Sequence, residues 1–116
     1  MDDYEVTYYQ RSNGKMPVSI FLDELTVKMH AKMLSRIVLL AKNGPNLREP
    51  VCKSLGDGIF ELRSQMDGYA LRILYFFGSG KNVILTNGFV KKTNKTPREV
   101  IKQAKAFRKD YLQKER

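Results

Sequence analysis

Two arginines and a pair of adjacent lysines are the side chains of this sequence best suited to chemistry on a phosphate. Arg63 and Arg72 stand in consecutive predicted strands, and Lys91 and Lys92 follow the third. A guanidinium presents a planar fork that holds two phosphate oxygens, and a lysine crowded by other cations can approach the pKa range of proton transfer. These four residues are the candidate catalytic set for cleaving a phosphodiester, with arginine stabilising charge and lysine moving a proton.

Cleavage of this kind needs neither a metal nor a histidine when the substrate is RNA, because the 2′-hydroxyl attacks the adjacent phosphate. The chain has one cysteine, Cys52, and one histidine, His30. We interpret Cys52 as an ordinary packing or surface residue and His30 as a bystander within a helix. One Cys, one His and scattered carboxylates do not make a zinc site, and no glycine motif for a nucleotide is present. No metal or cofactor is expected.

The N-terminal half must form elements that support this set. An aromatic and β-branched run over residues 4–9 predicts a strand, and residues 17–25 and 26–43 predict two helices. The second helix is expected to turn one wide apolar stripe towards the core. The stripe consists of Val27, Ala31, Leu34, Val38 and Ala41, broadened by Met33, Ile37 and Leu40.

Three apolar runs of strand length follow, at residues 58–65, 69–77 and 82–90, with a short extra strand expected near Val51. The last segment begins with a predicted capping box, in which Thr96 is the N-cap and Glu99 occupies N3, and Pro97 occupies N1. The whole chain, residues 1–116, is therefore expected to be one α+β domain. Two N-terminal helices would pack on a small antiparallel sheet, and a basic amphipathic helix would end the chain.

Hairpin geometry predicts which side chains share a face. Asp67-Gly68 is a strong two-residue turn signal, so Arg63 should lie opposite Arg72. If Ser79-Gly80 is the next two-residue turn, Arg72 lies opposite Asn87. Side chains alternate along a strand, so one face is an apolar core face that includes Ile84 and Thr86. The other face would carry Glu61, Arg63, Ala70, Arg72, Leu74, Asn87, Phe89 and Lys91.

Two arginines opposite each other in mid-sheet repel, so something anionic should lie between them. Glu61 is one candidate and a phosphate is the other. The plain alternative is a surface charge network of Glu61, Arg63 and Arg72 without a binding function. Glu61 is also a candidate general base, and Glu61 and Asn87 belong to the predicted RNA-binding set.

A basic loop with one aromatic residue at its start, residues 89–97, adjoins this face. Phe89 could stack on an unpaired base while Lys95 and Arg98 hold phosphates, which completes the RNA-binding set. Packing of Phe89 beneath the last helix is the equally available alternative.

The positive charge is concentrated at one end of the sequence. The chain has a formal net charge of +9, yet residues 1–80 hold ten basic and nine acidic residues, whereas residues 81–116 hold eleven and three. Such a field favours a polyanion or an acidic protein as partner, unless it is only a solvated helix face. No apolar run reaches the roughly 20 residues that span a membrane, and the acidic start does not suggest a signal peptide. A cytoplasmic protein with no membrane partner is expected.

Three blocks of sequence resemble a known family. Gly58-Ile59-Phe60-Glu61-Leu62-Arg63 resembles the "G-(L/I)-(Y/F)-E-L-R" signature of HigB-type, phage-derived toxin-like proteins of the RelE-like superfamily. Residues 68–75 resemble the following "R-(I/V)-x-Y" strand, and residues 88–97 are similar to the "G-F-x-K-K-T-x-K-T-P" block. The resemblance is dense over residues 58–108 and loose before them.

The resemblance implies a RelE-like fold and an mRNA endoribonuclease that acts on the ribosome and inhibits translation. It also implies a HigA-type antitoxin with a helix-turn-helix, through which alone the toxin would reach operator DNA. Family patterns of catalytic basic residues fall best on Arg72, Lys91 and Lys92. The tyrosine that some relatives place beside the loop has no obvious counterpart here.

Two other functions remain open from the sequence. The same basic face would serve a non-enzymatic module that binds nucleic acid or an acidic partner protein. A phage structural or assembly protein is the third reading, supported only by the phage association of such sequences.

Overall fold

The computed structural model describes residues 3–115, which form five strands and three α-helices. In chain order these are β1 (Glu5–Tyr8), α1 (Pro17–Asp23), α2 (Val27–Asn43), β2 (Cys52–Gly56), β3 (Ile59–Met66), β4 (Tyr69–Phe77), β5 (Asn82–Lys91) and α3 (Arg98–Lys114). A 3₁₀ turn at Gly44–Asn46 separates α2 from β2. The predicted α+β class is confirmed, and the extra strand expected near Val51 is β2.

One mostly antiparallel sheet, in the order β1-β5-β4-β3-β2, divides the domain. Among the five described strands, β1 and β5 are the one parallel pair. Helices α1 and α2 cover one face, where Leu62, Ile73, Tyr75 and Leu85 are buried. Helix α3 covers the other, where Ile59, Leu74, Ile84 and Phe107 are buried. Successive side chains of β3 and β4 therefore pack alternately into two separate cores, one on each face of the sheet, as expected for strands covered on both faces.

Helix α2 buries a different apolar stripe from the one predicted. Thr26 caps the helix, its hydroxyl accepting a hydrogen bond from the Met29 amide at 3.2 Å. The buried side chains are Met29, Met33, Ile37 and Leu40. Val27, Leu34 and Val38 are exposed, so the prediction that they face the core is wrong. The helix has two apolar stripes of the same period, and periodicity alone does not indicate which of them the sheet will cover.

The β3–β4 hairpin has the predicted register. Arg63 pairs with Arg72 and Met66 with Tyr69. Asp67 and Gly68 both adopt positive φ angles, 54° and 81°. This conformation gives a tight turn whose twist matches that of the flanking strands, so it fixes the pairing.

The β4–β5 register differs from the prediction in two places. The Gly78 amide donates to the Asn82 carbonyl at 2.9 Å, so the loop has three residues rather than two. A second shift falls between Leu74 and Tyr75, where Leu74 pairs with Asn87 but Tyr75 pairs with Leu85. Arg72 consequently lies opposite Phe89, and its predicted pairing with Asn87 is wrong.

These two shifts explain which faces were predicted correctly. Between the loop and the bulge the slip is one residue, so Ile84 lies in the α3 core rather than on the predicted α2 face. Beyond the bulge the observed register differs from the predicted one by two residues, so each side chain again lies on the predicted face. Phe89 and Lys91 therefore share the face of Arg72, as predicted, although for a different reason.

The start of α3 also differs from the prediction. Pro97 is the N-cap residue, and no side chain of the described residues caps the helix. The Thr96 hydroxyl donates a hydrogen bond to Oε2 of Glu61 instead. The predicted capping box is wrong because a buried carboxylate takes the hydroxyl that would otherwise cap the helix.

Candidate anion-binding site

A cavity of about 380 Å³ opens beside β3, next to the start of the antiparallel strand β2. The carbonyl of Val51 still accepts a hydrogen bond from the Arg63 amide at 2.8 Å, and beyond that point β3 pairs with no other described strand on this side. Helix α2 and the loop after β5 close the remaining sides. The lining residues are Arg36, Pro50, Val51, Arg63, Ser64, Gln65, Arg72 and Asn94.

Arg72 forms the floor of this cavity and is fixed by its neighbours. It is buried, with 2 % of its surface exposed. Its Nη1 donates to the carbonyls of Ser64 at 2.6 Å and Leu71 at 3.0 Å, and its Nη2 donates to Oδ1 of Asn94 at 3.1 Å. With most donors already engaged, Arg72 contributes a fixed positive charge rather than a free fork.

Glu61 lies beneath the arginines and is fully buried. Its Oε1 is 3.4 Å from Nε of Arg63 and 3.6 Å from Nε of Arg72. None of these three atoms has a hydrogen-bond partner among residues 3–115, whereas Oε2 accepts from Thr96. Glu61 is thus a buried counter-ion shared by two arginines, and in this conformation it cannot contact RNA.

Two other guanidinium groups present free donors to the cavity. Arg36 donates through Nε to the carbonyl of Arg63 at 3.1 Å. Its two amino groups have no partner in the described part of the chain, and the same holds for those of Arg63. Arg36 and Arg63 therefore offer open forks of the shape that binds two oxygens of a phosphate.

The electrostatics of the cavity favour an anion. Three guanidinium groups line the cavity, and within residues 3–115 the one carboxylate paired with them is that of Glu61, which contacts Arg63 and Arg72, so two positive charges are uncompensated. Burial lowers the pKa of Arg72 from its ordinary value, and the nearby charge of Arg63 lowers it further, while Glu61 opposes both effects. Binding an anion would relieve this repulsion, because an opposite charge favours the charged form.

The two predicted catalytic lysines are separated by the sheet. Lys91 lies opposite Ala70, on the same face as Arg72. The ammonium of Lys92 is 5.7 Å from the centroid of the Tyr69 ring, and Tyr69 packs against the α1–α2 core on the opposite face. Both lysines are exposed, and neither lines the cavity.

The predicted RNA-binding residues fall into two groups. Asn87 is buried and donates from Nδ2 to the Val100 carbonyl and to Oε1 of Gln103, both at 3.1 Å, so it fastens α3 to the sheet. Phe89 packs against the α3 core, which is the alternative that the sequence left open. Lys95 and Arg98 are exposed near the start of α3 and are free to contact a phosphate.

Arg36 and Asn94, whose side chains contact the other groups of the cavity, are not among the residues predicted from the sequence. Arg36 follows Met33 by three residues and precedes Leu40 by four, so helical spacing places it beside the buried stripe of α2. That spacing was a usable signal. Asn94 carried none, because its role depends on how the loop after β5 folds back over Arg72.

A family model described as phage derived protein Gp49-like (DUF891) matches residues 20–109. The chain belongs to the Gp49-like family. The match extends from within α1 to within α3, so it includes every residue that lines the cavity. The Gp49-like family is related to the HigB and RelE-like ribonuclease toxins. No curated protein gives a significant match to the chain.

Two further observations bear on the chemistry of this Gp49-like protein. Within residues 3–115, no three His, Cys, Asp or Glu side chains come together in an arrangement that could hold a metal ion. Over the same residues, no helix combines the length and the apolar composition that crossing a membrane requires.

Proposed function

We propose that this Gp49-like protein is the toxin of a type II toxin–antitoxin system, a metal-independent endoribonuclease that cleaves mRNA on the ribosome and inhibits translation. The supporting observation is the cavity in which the open forks of Arg36 and Arg63 meet the fixed charge of Arg72. Membership of a family related to ribonuclease toxins adds to it.

In this proposal the scissile phosphate binds between Arg36 and Arg63, with Arg72 beneath it. The 2′-hydroxyl loses its proton as its oxygen attacks phosphorus, the bond to the 5′-oxygen breaks, and that oxygen gains a proton. The products are a 2′,3′-cyclic phosphate and a 5′-hydroxyl. The arginines stabilise the charge that the phosphate gains in the transition state. Lys91, on the face of Arg72, is the candidate for proton transfer, whereas Lys92 is assigned to RNA binding because it lies beside Tyr69.

The proposal includes a partner. A HigA-type helix-turn-helix antitoxin from the neighbouring gene would neutralise the toxin and carry it to operator DNA. Both proteins would act in the cytoplasm. The strong positive charge supports an acidic binding surface on the antitoxin.

Expression in a bacterial host, alone and with the neighbouring gene, tests this function. We expect growth arrest with new mRNA 5′ ends by primer extension, and rescue by the neighbour. Arg36→Ala and Arg63→Ala should relieve the arrest, whereas Lys15→Ala, which removes one exposed charge outside the cavity, should not. Arrest that persists in both arginine variants would refute the site, and normal growth with intact mRNA from folded protein would refute the toxin.

A non-enzymatic RNA-binding module is the second candidate, and one observation favours it. The cavity lining contains no histidine, tyrosine or carboxylate that could serve as a base near neutral pH. A short mRNA and an analogue with 2′-deoxynucleotides in the decoded codon, each bound to purified ribosomes, separate the two functions in vitro. Cleavage of the RNA alone supports the enzyme, whereas tight binding of both with no cleavage supports the module.

A further inference from the structure

Helix α2 has an exposed apolar stripe that the domain does not cover. Val27, Leu34 and Val38 are 88 %, 40 % and 52 % exposed. Ala31 is exposed between them, and Ala41 continues the series. We call Val27, Ala31, Leu34, Val38 and Ala41 the outer seam.

The spacing of the outer seam is that of a coiled coil. Its members alternate by four and three residues, which is the a/d repeat by which one helix packs against another. The seam covers two heptads, about 21 Å of helix at 1.5 Å per residue. A solvated helix surface has no need of apolar residues in this repeat, so the seam has the form of a helix-docking surface.

The charges beside the outer seam are of one sign. In the heptad frame set by the seam, Lys28, Ser35 and Lys42 occupy the flanking e positions. Helix α2 contains no acidic residue between Val27 and Asn43. A second copy of α2 lying antiparallel on the seam would oppose Lys28 with Lys42, so like charges disfavour self-association and acidic residues are favoured in the partner.

The outer seam and the anion-binding cavity lie on different sides of α2. Arg36, which lines the cavity, occupies the f position of the same heptad frame, far from the a and d positions around the helix. A helix bound on the seam therefore leaves the arginines of the cavity uncovered.

We propose that the outer seam is the docking site for an amphipathic helix of a partner protein, in which acidic residues flank a two-heptad apolar stripe. The proposal does not depend on ribonuclease activity, because its surface and its test involve neither the cavity nor RNA.

Two synthetic 21-residue peptides provide the test, with the full-length protein as receptor and fluorescence anisotropy as readout. Both carry the same leucine a/d seam, one flanked by glutamate and the other by lysine. We expect the glutamate peptide to bind the wild-type protein and the lysine peptide to bind at least about tenfold more weakly. Equal binding of the two peptides, or no binding of either, would overturn the proposal.

Matched variants locate the binding. Leu34→Ser should lower the affinity for the glutamate peptide by about tenfold or more. Leu112→Ser, which alters a similarly exposed leucine on α3, should leave this affinity unchanged. Lys28→Glu combined with Lys42→Glu should reverse the preference between the peptides. Thermal unfolding confirms that each variant is folded, and because Leu34 is exposed its replacement should not unfold the domain.

Sedimentation velocity tests whether a second copy of the protein, rather than a partner helix, occupies the outer seam. A dimer of the wild-type protein that Leu34→Ser dissociates would assign the seam to a second copy and overturn the proposal. A monomer that binds the glutamate peptide supports it.

Discussion

At the scale of single residues, Glu61 is the feature on which the site depends. A fully buried carboxylate is costly unless paired, and here it holds two arginines through Oε1 and a threonine through Oε2. The sequence predicts Glu61 as one of two candidates for the anion between Arg63 and Arg72, and that prediction follows from the correct hairpin register. It could not indicate burial, because α3 and the loop before it cover this part of the face.

Glu61→Gln should destabilise the protein. The amide can still bind Thr96, but two nearby guanidinium groups lose their counter-ion, and breaking a buried pair costs about 3 kcal/mol. Urea unfolding measures the change. Sulfate should restore stability more in Glu61→Gln than in the wild type, since an anion bound in the cavity would replace the lost charge.

The control for this variant is Asp57→Asn. Asp57 pairs with Lys105 at 2.7 Å, but both side chains are exposed and water screens the interaction. We expect little change in unfolding. An equal loss in the two variants would mean that the Glu61 pair is no stronger than a surface pair.

The open guanidinium forks of Arg36 and Arg63 also lead to a prediction about the salt dependence of RNA binding. Each neutralised phosphate of a single strand contributes about −0.7 to the slope of log affinity against log salt. Arg36→Ala and Arg63→Ala should each weaken binding of a short RNA and flatten the slope by about that amount. Lys15→Ala should leave the slope of log affinity against log salt unchanged. If neither Arg36→Ala nor Arg63→Ala changes this slope, the phosphate binds outside the cavity.

At the scale of elements, the hydrogen bond from Thr96 to Glu61 joins the start of α3 to β3. Thr96→Val should therefore lower the free energy of unfolding by about 1–3 kcal/mol, because a buried carboxylate oxygen loses the one donor it has within residues 3–115. Helix content by circular dichroism should not change, since Thr96 does not cap the helix.

Thr96→Ser should restore the stability that valine removes, and Thr93→Val, in the exposed part of the same loop, should have little effect. If Thr96→Val instead loses helix content while its free energy of unfolding is unchanged, the result would contradict the bond to Glu61 and would support Thr96 as the N-cap of α3.

A second contact between elements predicts a response to alkali. Tyr9 follows β1, donates a hydrogen bond to Asp110 of α3 and stacks on Phe107. Burial, followed by the hydrogen bond to Asp110, raises the pKa of Tyr9 from 10.0 to about 12. The folded state holds this proton more tightly, so the contribution to stability is complete below pH 10 and is lost as pH rises towards 12.

Tyr9→Phe keeps the ring and removes the ionisation. We expect its free energy of unfolding to fall less steeply than that of the wild type between pH 10 and 12, measured by urea titration at each pH. Parallel curves for the two proteins would contradict the assignment to Tyr9.

The elements also explain which parts of the fold the sequence could predict. The β3–β4 register followed from Asp67-Gly68, because a two-residue turn with two positive φ angles allows one pairing. The β4–β5 register did not, since neither a three-residue loop nor a bulge beside Thr86 leaves a distinct local signal. The stripe buried by α2 required knowledge of the sheet that covers it.

At the scale of the whole molecule, the segment that carries the excess positive charge is not the segment that supplies the arginines of the cavity. The excess of basic residues lies in positions 81–116, yet the arginines of the cavity, Arg36, Arg63 and Arg72, all precede it. Charge counting along the sequence located the field that would attract an anion. Only the topology, which brings α2, β3 and β4 together, located the groups that would hold it.

The parallel pairing of β1 with β5 constrains the order in which the chain can fold. Glu5 pairs with Asn82, so the first strand has no sheet to join until the last strand has been synthesised. At about 5–20 residues per second, a ribosome takes several seconds or more to make the intervening chain. The cavity needs β3, β4 and Asn94 as well, so a nascent chain cannot present its anion site before residue 94 has been synthesised.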